Sequence, residues 1–238
     1  MTRRLIWLQR CGSTNDEAVK RLHDPTVWAV GADHQTAGRG RLGRAWWSTP
    51  RGGLYLSWIA RPRFHQSLGT ALPLLAAVAV ADELCARGLE PRLKWPNDVR
   101  LGGRKLAGIL CEARGTPTRW CAVVGLGLNL WRPATGWPAD VPAVAMDEVH
   151  EAVPEAQALA ACLLPRFDAL LERIPGEGLA PIIAAWERHG PAPGTRLRRG
   201  DLEGRYVGLA TDGALRLETP SGLQLVHTGD VDLVSQED

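Results

Sequence analysis

The sequence predicts an α+β fold in which a larger unit of interleaved strands and helices is followed by a small β-barrel. Three observations carry this. Short apolar segments of strand length alternate irregularly with helix-length apolar runs as far as residue 190. Gly190-Pro191-Ala192-Pro193-Gly194 then breaks the pattern, since proline and glycine do not continue a helix. Beyond it polar and apolar residues alternate, with glycines at 200, 204, 208, 213, 222 and 229, the pattern of short strands joined by tight turns. The expected units are 1–190 and 191–238.

Residues 5–9 read as a first strand. Ser13 offers an N-cap, with Asp16 and Glu17 in the first turn of a helix that runs to about residue 24, where Pro25 stops it. Residues 27–31 form a strand. Residues 35–51, rich in glycine and arginine and without a period, form a loop. A strand at 53–60 and a long apolar helix at 66–88, closed by Gly88, come next. Strands follow at 92–95, 99–101 and 104–112, the last two joined across Gly102-Gly103. In the strand at 120–130, Gly125 and Gly127 announce the close approach of another backbone or a ligand. Residues 131–149, rich in proline, alanine and tryptophan, are expected to be a mobile loop. Helices at 154–174 and 179–189 complete the unit.

A chain of 238 residues, 45% hydrophobic and 23% charged, can bury a core without metals or disulfides. Its 28 basic and 26 acidic residues leave a net charge of +2, a balance that argues against specific DNA binding. The charge is unevenly placed, however. Residues 34–81 contain no acid but do contain Arg39, Arg41, Arg44, Arg51, Arg61 and Arg63, a patch suited to an anion such as a phosphate ester. Five cysteines without CxxC spacing disfavour a disulfide scaffold and a zinc site. They fit reduced thiols in a cytoplasmic protein, with Cys85 and Cys162 in the core. The six histidines show no ligand spacing. The N-terminal apolar stretch is too short for a signal peptide. The longest apolar run, 71–81, is about half a membrane span and contains Pro73, so it reads as a buried helix and no membrane association is expected.

Four segments could carry chemistry. Gly38-Arg39-Gly40-Arg41-Leu42-Gly43 matches a dinucleotide fingerprint in letters, but no helix opens after it and no acid lies about 20 residues downstream. Its glycines still let backbone N–H groups approach an anion, and its arginines supply forked, permanent charges. Gln35 can bind a polar ligand through its amide, and Trp46 and Trp47 can cover an apolar part. Lys94-Trp95-Pro96-Asn97-Asp98 presents a carboxylate at a strand end, where it could hold Mg²⁺ near phosphates. In the third segment Lys105 stands alone at the start of an apolar strand. Alternation sends it to one face with Ala107 and Ile109, and Leu106, Gly108 and Leu110 to the other. Gly12-Ser13-Thr14-Asn15, finally, places hydroxyls and an amide at a helix start. Each segment alone has an ordinary structural reading as a cap, a turn or a basic surface loop.

Together, in this order, they resemble the biotin–protein ligase family. The resemblance rests on Ser13–Thr14–Asn15, Gln35 through Arg41 with Trp46, Lys94 through Asp98, Arg104 through Ile109, and Gly125 through Asn129. It covers roughly residues 5–190, with the barrel after it. It implies a mixed sheet with helices on one side, as in class II synthetases, and an SH3-like C-terminal barrel. It also implies biotin and ATP as substrates with Mg²⁺, a biotinyl-5'-AMP intermediate, and a lysine of a biotin carboxyl carrier domain of acetyl-CoA carboxylase or a similar carboxylase as acceptor. By the same resemblance Ser13, Thr14, Asn15, Gln35, Gly38, Arg39, Gly40, Arg41, Trp46, Lys105 and Gly108 would surround biotin and its adenylate. Asn97 and Asn129 would lie near ATP and its adenine. Lys105, Arg41 and Asp98 would be catalytic, and Asp98 would touch a transient Mg²⁺. The start of the chain leads us to expect a form without the family's N-terminal DNA-binding module, acting as a monomer or homodimer. Lipoate ligases and octanoyltransferases resemble this family in fold but carry other motifs. A non-catalytic biotin binder would not need the cations.

Overall fold

The computed structural model describes residues 3–116, 119–138 and 141–234. Residues 139 and 140 of the expected loop, and residues 1, 2, 117, 118 and 235–238 of the two expected units, lie outside the described residues.

Seven strands make the main sheet: β1 (Arg4–Leu8), β2 (Val27–Ala32), β3 (Gly53–Ala60), β4 (Arg92–Lys94), β5 (Asp98–Leu101), β6 (Arg104–Thr116) and β7 (Arg119–Asn129). Their order is β1-β2-β3-β7-β6-β5-β4. β1 and β2 are parallel and the remaining neighbours antiparallel, so the sheet is mixed. β3, an interior strand between β2 and β7, is buried at every position, as a strand covered on both faces must be.

Alternation along β3 divides the two faces. Leu54, Leu56 and Trp58 join the main core, which includes α2 (Leu72–Ala86) and α3 (Ala156–Glu177), with α4 (Ala180–His189) against α2. Ile59 instead joins a small cluster with Ala18, Val27, Val30 and Val123 under the short α1 (Thr14–Val19). The long helices therefore cover one face, and the other carries α1 and the space beside it. Residues Gly69–Ala86 are long and apolar enough to cross a membrane by length and composition, but α2 packs into the core, and the expected apolar run 71–81 is buried apart from the half-buried Pro73.

A second, antiparallel SH3-like sheet contains β8 (Arg196–Arg199), β9 (Leu202–Leu209), β10 (Leu215–Thr219), β11 (Gly222–Val226) and β12 (Asp232–Leu233), in the order β11-β10-β9-β8-β12. Trp95 Nε1 donates to Gly213 O (3.1 Å, buried), and the Leu209 N–H donates to Glu187 Oε1 (2.9 Å). These bonds fasten the second unit to Trp95, just after β4, and to α4.

Several expectations need correction. The first helix ends at Val19, not near residue 24, because Arg21 and Leu22 bond three residues back and close the chain into turns. Cys85 and Cys162 are exposed. Cys85 lies in the last turn of α2, and Cys162 falls between the buried pairs Leu159-Ala160 and Leu163-Leu164 of α3, so both face outward. Residues 143–146 are buried, and their strand-like bonds to the Lys105 backbone anchor this half of the expected mobile loop: Lys105 N–H to Pro142 O (2.7 Å) and Val144 N–H to Lys105 O (3.0 Å). Simple alternation in β6 also fails. Arg100 pairs with Lys105 while Val99 pairs with Ala107, so Leu106 is an extra residue, a bulge that re-aims the side chains on either side of it.

Candidate active site

The face of the sheet that bears α1 opens into a cavity of about 760 Å³. Of the residues singled out in the sequence, Ser13, Thr14, Asn15, Gln35, Arg39, Gly40, Arg41, Trp46, Asn97, Asp98, Lys105, Gly108 and Asn129 line it. Gly38 does not. It lies behind the wall, where its carbonyl accepts the Trp46 N–H (2.9 Å).

One end is neutral and built by internal hydrogen bonds. Thr14 donates from its backbone N–H (2.8 Å) and its hydroxyl (3.0 Å) to Gln35 Oε1. The Ser57 hydroxyl bridges Thr14 Oγ1 (2.8 Å) and Asn15 Oδ1 (2.6 Å), and Asn15 Nδ2 donates to Glu112 Oε2 (2.8 Å). Ser57 and Gly125 are directly paired across β3 and β7. A Cβ on Gly125 would stand 2.2 Å from Asn15 Oδ1, so only glycine leaves room for that amide. Ser13 holds the N-cap position without a side-chain capping bond.

The floor beside it is made of glycine. Gly108 pairs with Gly127, and the Trp46 indole lies over both, 2.4 Å from where a Gly127 Cβ would be and 3.0 Å from that of Gly108. The close approach expected at the β7 glycines is thus made by two side chains, Asn15 and Trp46. Trp46 Nε1 is buried and has no hydrogen-bond partner among the described residues.

The other end is cationic, and Lys105, Arg39 and Arg41 each lie beside a protein carboxylate. Lys105 Nζ lies 2.7 Å from Asp98 Oδ1 and 5.6 Å from the Trp46 ring centroid, a cation–π distance. The bulge at Leu106 brings the Lys105 amine within about 3.1 Å of the Gly108 Cβ position. Arg39 donates to Asp16 Oδ2 (2.8 Å), and this bond holds the Asp16 carboxyl below its ordinary value while raising that of Arg39. Arg41 reaches Asn97 Oδ1 (3.1 Å), Gly229 O (3.3 Å) and Asp230 Oδ1 (3.4 Å). Asn97 is itself held by its Nδ2–H to Ile109 O (2.7 Å). The amide of Asn129 donates to Val144 O (3.1 Å) and Lys105 O (3.4 Å), clamping β7 to the segment that crosses the cavity edge.

Sequence reasoning did not single out Ser57, Glu112, Trp137, Asp230 or Asp232. The first two act beneath the neutral end and the other three line the cavity. Nothing local in the sequence marks them, because each arrives from a distant segment. Cys111 offers no nucleophile: burial pushes its thiol up to about 12, leaving it protonated near neutral pH.

The family model described as the biotin/lipoate A/B protein ligase family matches residues 7–129. The chain belongs to that family. A second model, the biotin protein ligase C terminal domain, matches residues 195–234. The biotin--[acetyl-CoA-carboxylase] ligase of Paracoccus denitrificans is 34% identical over 94% of this chain and 98% of that protein. The bifunctional ligase/repressor BirA of Bacillus spizizenii is 32% identical over 98% of this chain and 75% of its own length. Among solved structures, a biotin protein ligase from Aquifex aeolicus in complex with biotin and ATP matches with a TM-score of 0.81 at 27% identity, covering 97% of this chain and 98% of that one.

Proposed function

We propose that this chain is an ATP-dependent biotin–protein ligase. It forms biotinyl-5'-AMP and transfers the biotinyl group to a lysine of a biotin carboxyl carrier domain of acetyl-CoA carboxylase or a similar carboxylase. The observation that carries the reading is the polarity of one cavity, with a buried, uncharged, hydrogen-bonding end and a cationic end meeting at Trp46 and Lys105. Biotin has the matching asymmetry, a neutral ring system at one end and a carboxylate at the other. Relatives named for biotin ligation and the C-terminal domain match support the same assignment over lipoate transfer.

In the first step an oxygen of the biotin carboxylate attacks the α-phosphorus of ATP, and the bond to pyrophosphate breaks. Two anions meet, so Lys105, Arg39 and Arg41 would offset their repulsion and the charge that builds on the phosphorus oxygens. In the second step the acceptor amine attacks the acyl carbon, AMP leaves with the C–O electron pair, and a proton must leave the nitrogen. Asp98, at the end of the cavity's strand pair, is our candidate to accept it. Ser13, Thr14, Asn15, Gln35, Trp46 and Gly108 would hold biotin, and Asn97 and Asn129 the nucleotide. No group of three or more His, Cys, Asp or Glu able to cage a metal exists among the described residues. The donor set instead fits Mg²⁺ carried by the triphosphate, with Asp98 as one ligand; the ion would neutralise phosphate charge. We place the ligase unit at 1–190 and the SH3-like unit at 191–238.

The test is pyrophosphate release, which should require ATP and biotin together. Release without biotin, or equal release with lipoate, would overturn the assignment.

A further inference from the structure

The tip of the glycine–arginine loop is a single 3₁₀ turn, Arg41–Gly43, with no buried residue. Leu42 sits at φ 56° and is 77% exposed, so apolar packing does not hold the tip in place. Its position rests on polar contacts. Within the loop, the Gly40 N–H donates to Arg44 O (2.7 Å). Outside it, Arg41 reaches Asn97, Gly229 O and Asp230, and Arg44 pairs with Asp230. Among the described residues, every outside contact of these two arginines except Asn97 falls on the turn between β11 and β12. That turn belongs to a sheet fastened elsewhere by the buried Trp95–Gly213 bond and by Glu187. A second tie, Lys94 Nζ to Asp232 Oδ1 (2.6 Å), lies two residues further on and holds Asp232 below its ordinary value. The SH3-like sheet is therefore a fixed base, and the arginine loop is what it steadies.

We propose that Asp230 is a positioning residue for the nucleotide end of the site. It touches no reacting atom. It latches Arg41 and Arg44 from the C-terminal sheet, so that their guanidinium groups stand ready for phosphates. This rests on the ATP-dependent reading above.

The latch and a simple field effect predict opposite signs. Removing a carboxylate beside a triphosphate site lowers repulsion, so charge alone would decrease the KM for ATP on Asp230→Ala. A latch raises it, by about fivefold for a networked surface pair. The biotin KM should stay constant, because the neutral end draws on α1, Gln35, β3 and β7 instead. Asp230→Glu should restore part of the loss, and Arg44→Ala, which leaves the C-terminal sheet intact, should raise the KM for ATP without adding to the Asp230→Ala effect. Steady-state kinetics in ATP and in biotin separate the outcomes. An unchanged or lower KM for ATP in Asp230→Ala refutes the latch, as does an equal rise for biotin or full additivity of the two variants. If the parent chain releases no pyrophosphate with biotin and ATP, the functional reading fails first and independently.

Discussion

The two ends of the cavity are held in different ways. At the neutral end, Thr14, Asn15, Gln35 and Ser57 are buried and bonded to one another, with Asn15 packed against Gly125 of β7, where a side chain would leave no room. At the cationic end, Arg39 and Lys94 rely on carboxylates that are about half or more exposed, and Arg44 is itself 61% exposed. Exposed ion pairs contribute little, about 0–1 kcal/mol each, and break readily. The difference teaches that a neutral ring meets a site built from buried hydrogen bonds, whereas an anion meets cations that protein carboxylates already hold in place. The neutral end is held by burial, and the cationic end by charge pairing.

The largest expected effect comes from Lys105→Ala. Adenylate formation should fall about 100- to 1000-fold, the cost of one donor aimed at developing charge, while biotin affinity changes far less. Single-turnover pyrophosphate release beside calorimetric biotin titration checks this. A comparable collapse of biotin binding would show that the two ends are not separable.

Arg41→Gly should act more on keeping the intermediate than on making it, because Lys105 and Arg39 remain. Losing its hydrogen bonds, including the one to Asp230, should speed adenylate release about 10- to 100-fold. Incorporation of biotin into serum albumin, with no carrier present, reads this out. Unchanged albumin labelling from an enzyme still making adenylate would remove Arg41 from that role.

At the neutral end, Gly125→Ala should weaken biotin binding about tenfold or more, since a methyl group forced against Asn15 costs ~1–3 kcal/mol. Adenylation at saturating biotin should be nearly spared. Normal biotin affinity in this variant would mean that the end is looser than its packing implies.

The smallest effect concerns Asp16. Its folded value lies below the ordinary 3.8 because of the Arg39 bond. Its contribution is therefore complete above about 3.8 and lost as pH falls through the lowered folded value. Carboxyl-carbon NMR titration should place its midpoint below that of Asp16 in Arg39→Ala. Identical midpoints would dissolve the pair.

Much of this was readable in advance, for identifiable reasons. The strand at Gly53–Ala60 and the hairpin at Gly102-Gly103 follow from period and turn chemistry, which are local. Gly125 and Gly127 announced a close approach, but not by what. The occupants, Asn15 and Trp46, come from residues about 80 to 110 positions away in sequence, a separation that pattern cannot bridge. Alternation misplaced Lys105 relative to Gly108, since a bulge depends on how the partner strand registers and leaves no mark on its own strand.

The amino-acid sequence by itself determined most of the strands and helices that form, and which polar residues stand at strand and helix ends. Propensity, period and capping act over a few residues, so they can be read without coordinates. Only the tertiary structure decided that Asp230 and Asp232 reach the cationic end, that Ser57 and Glu112 tie down Asn15, and that residues 143–146 are anchored. Those contacts exist because strand order and the docking of one sheet on another bring distant segments within hydrogen-bond reach, and that arrangement is set by the burial of the whole core.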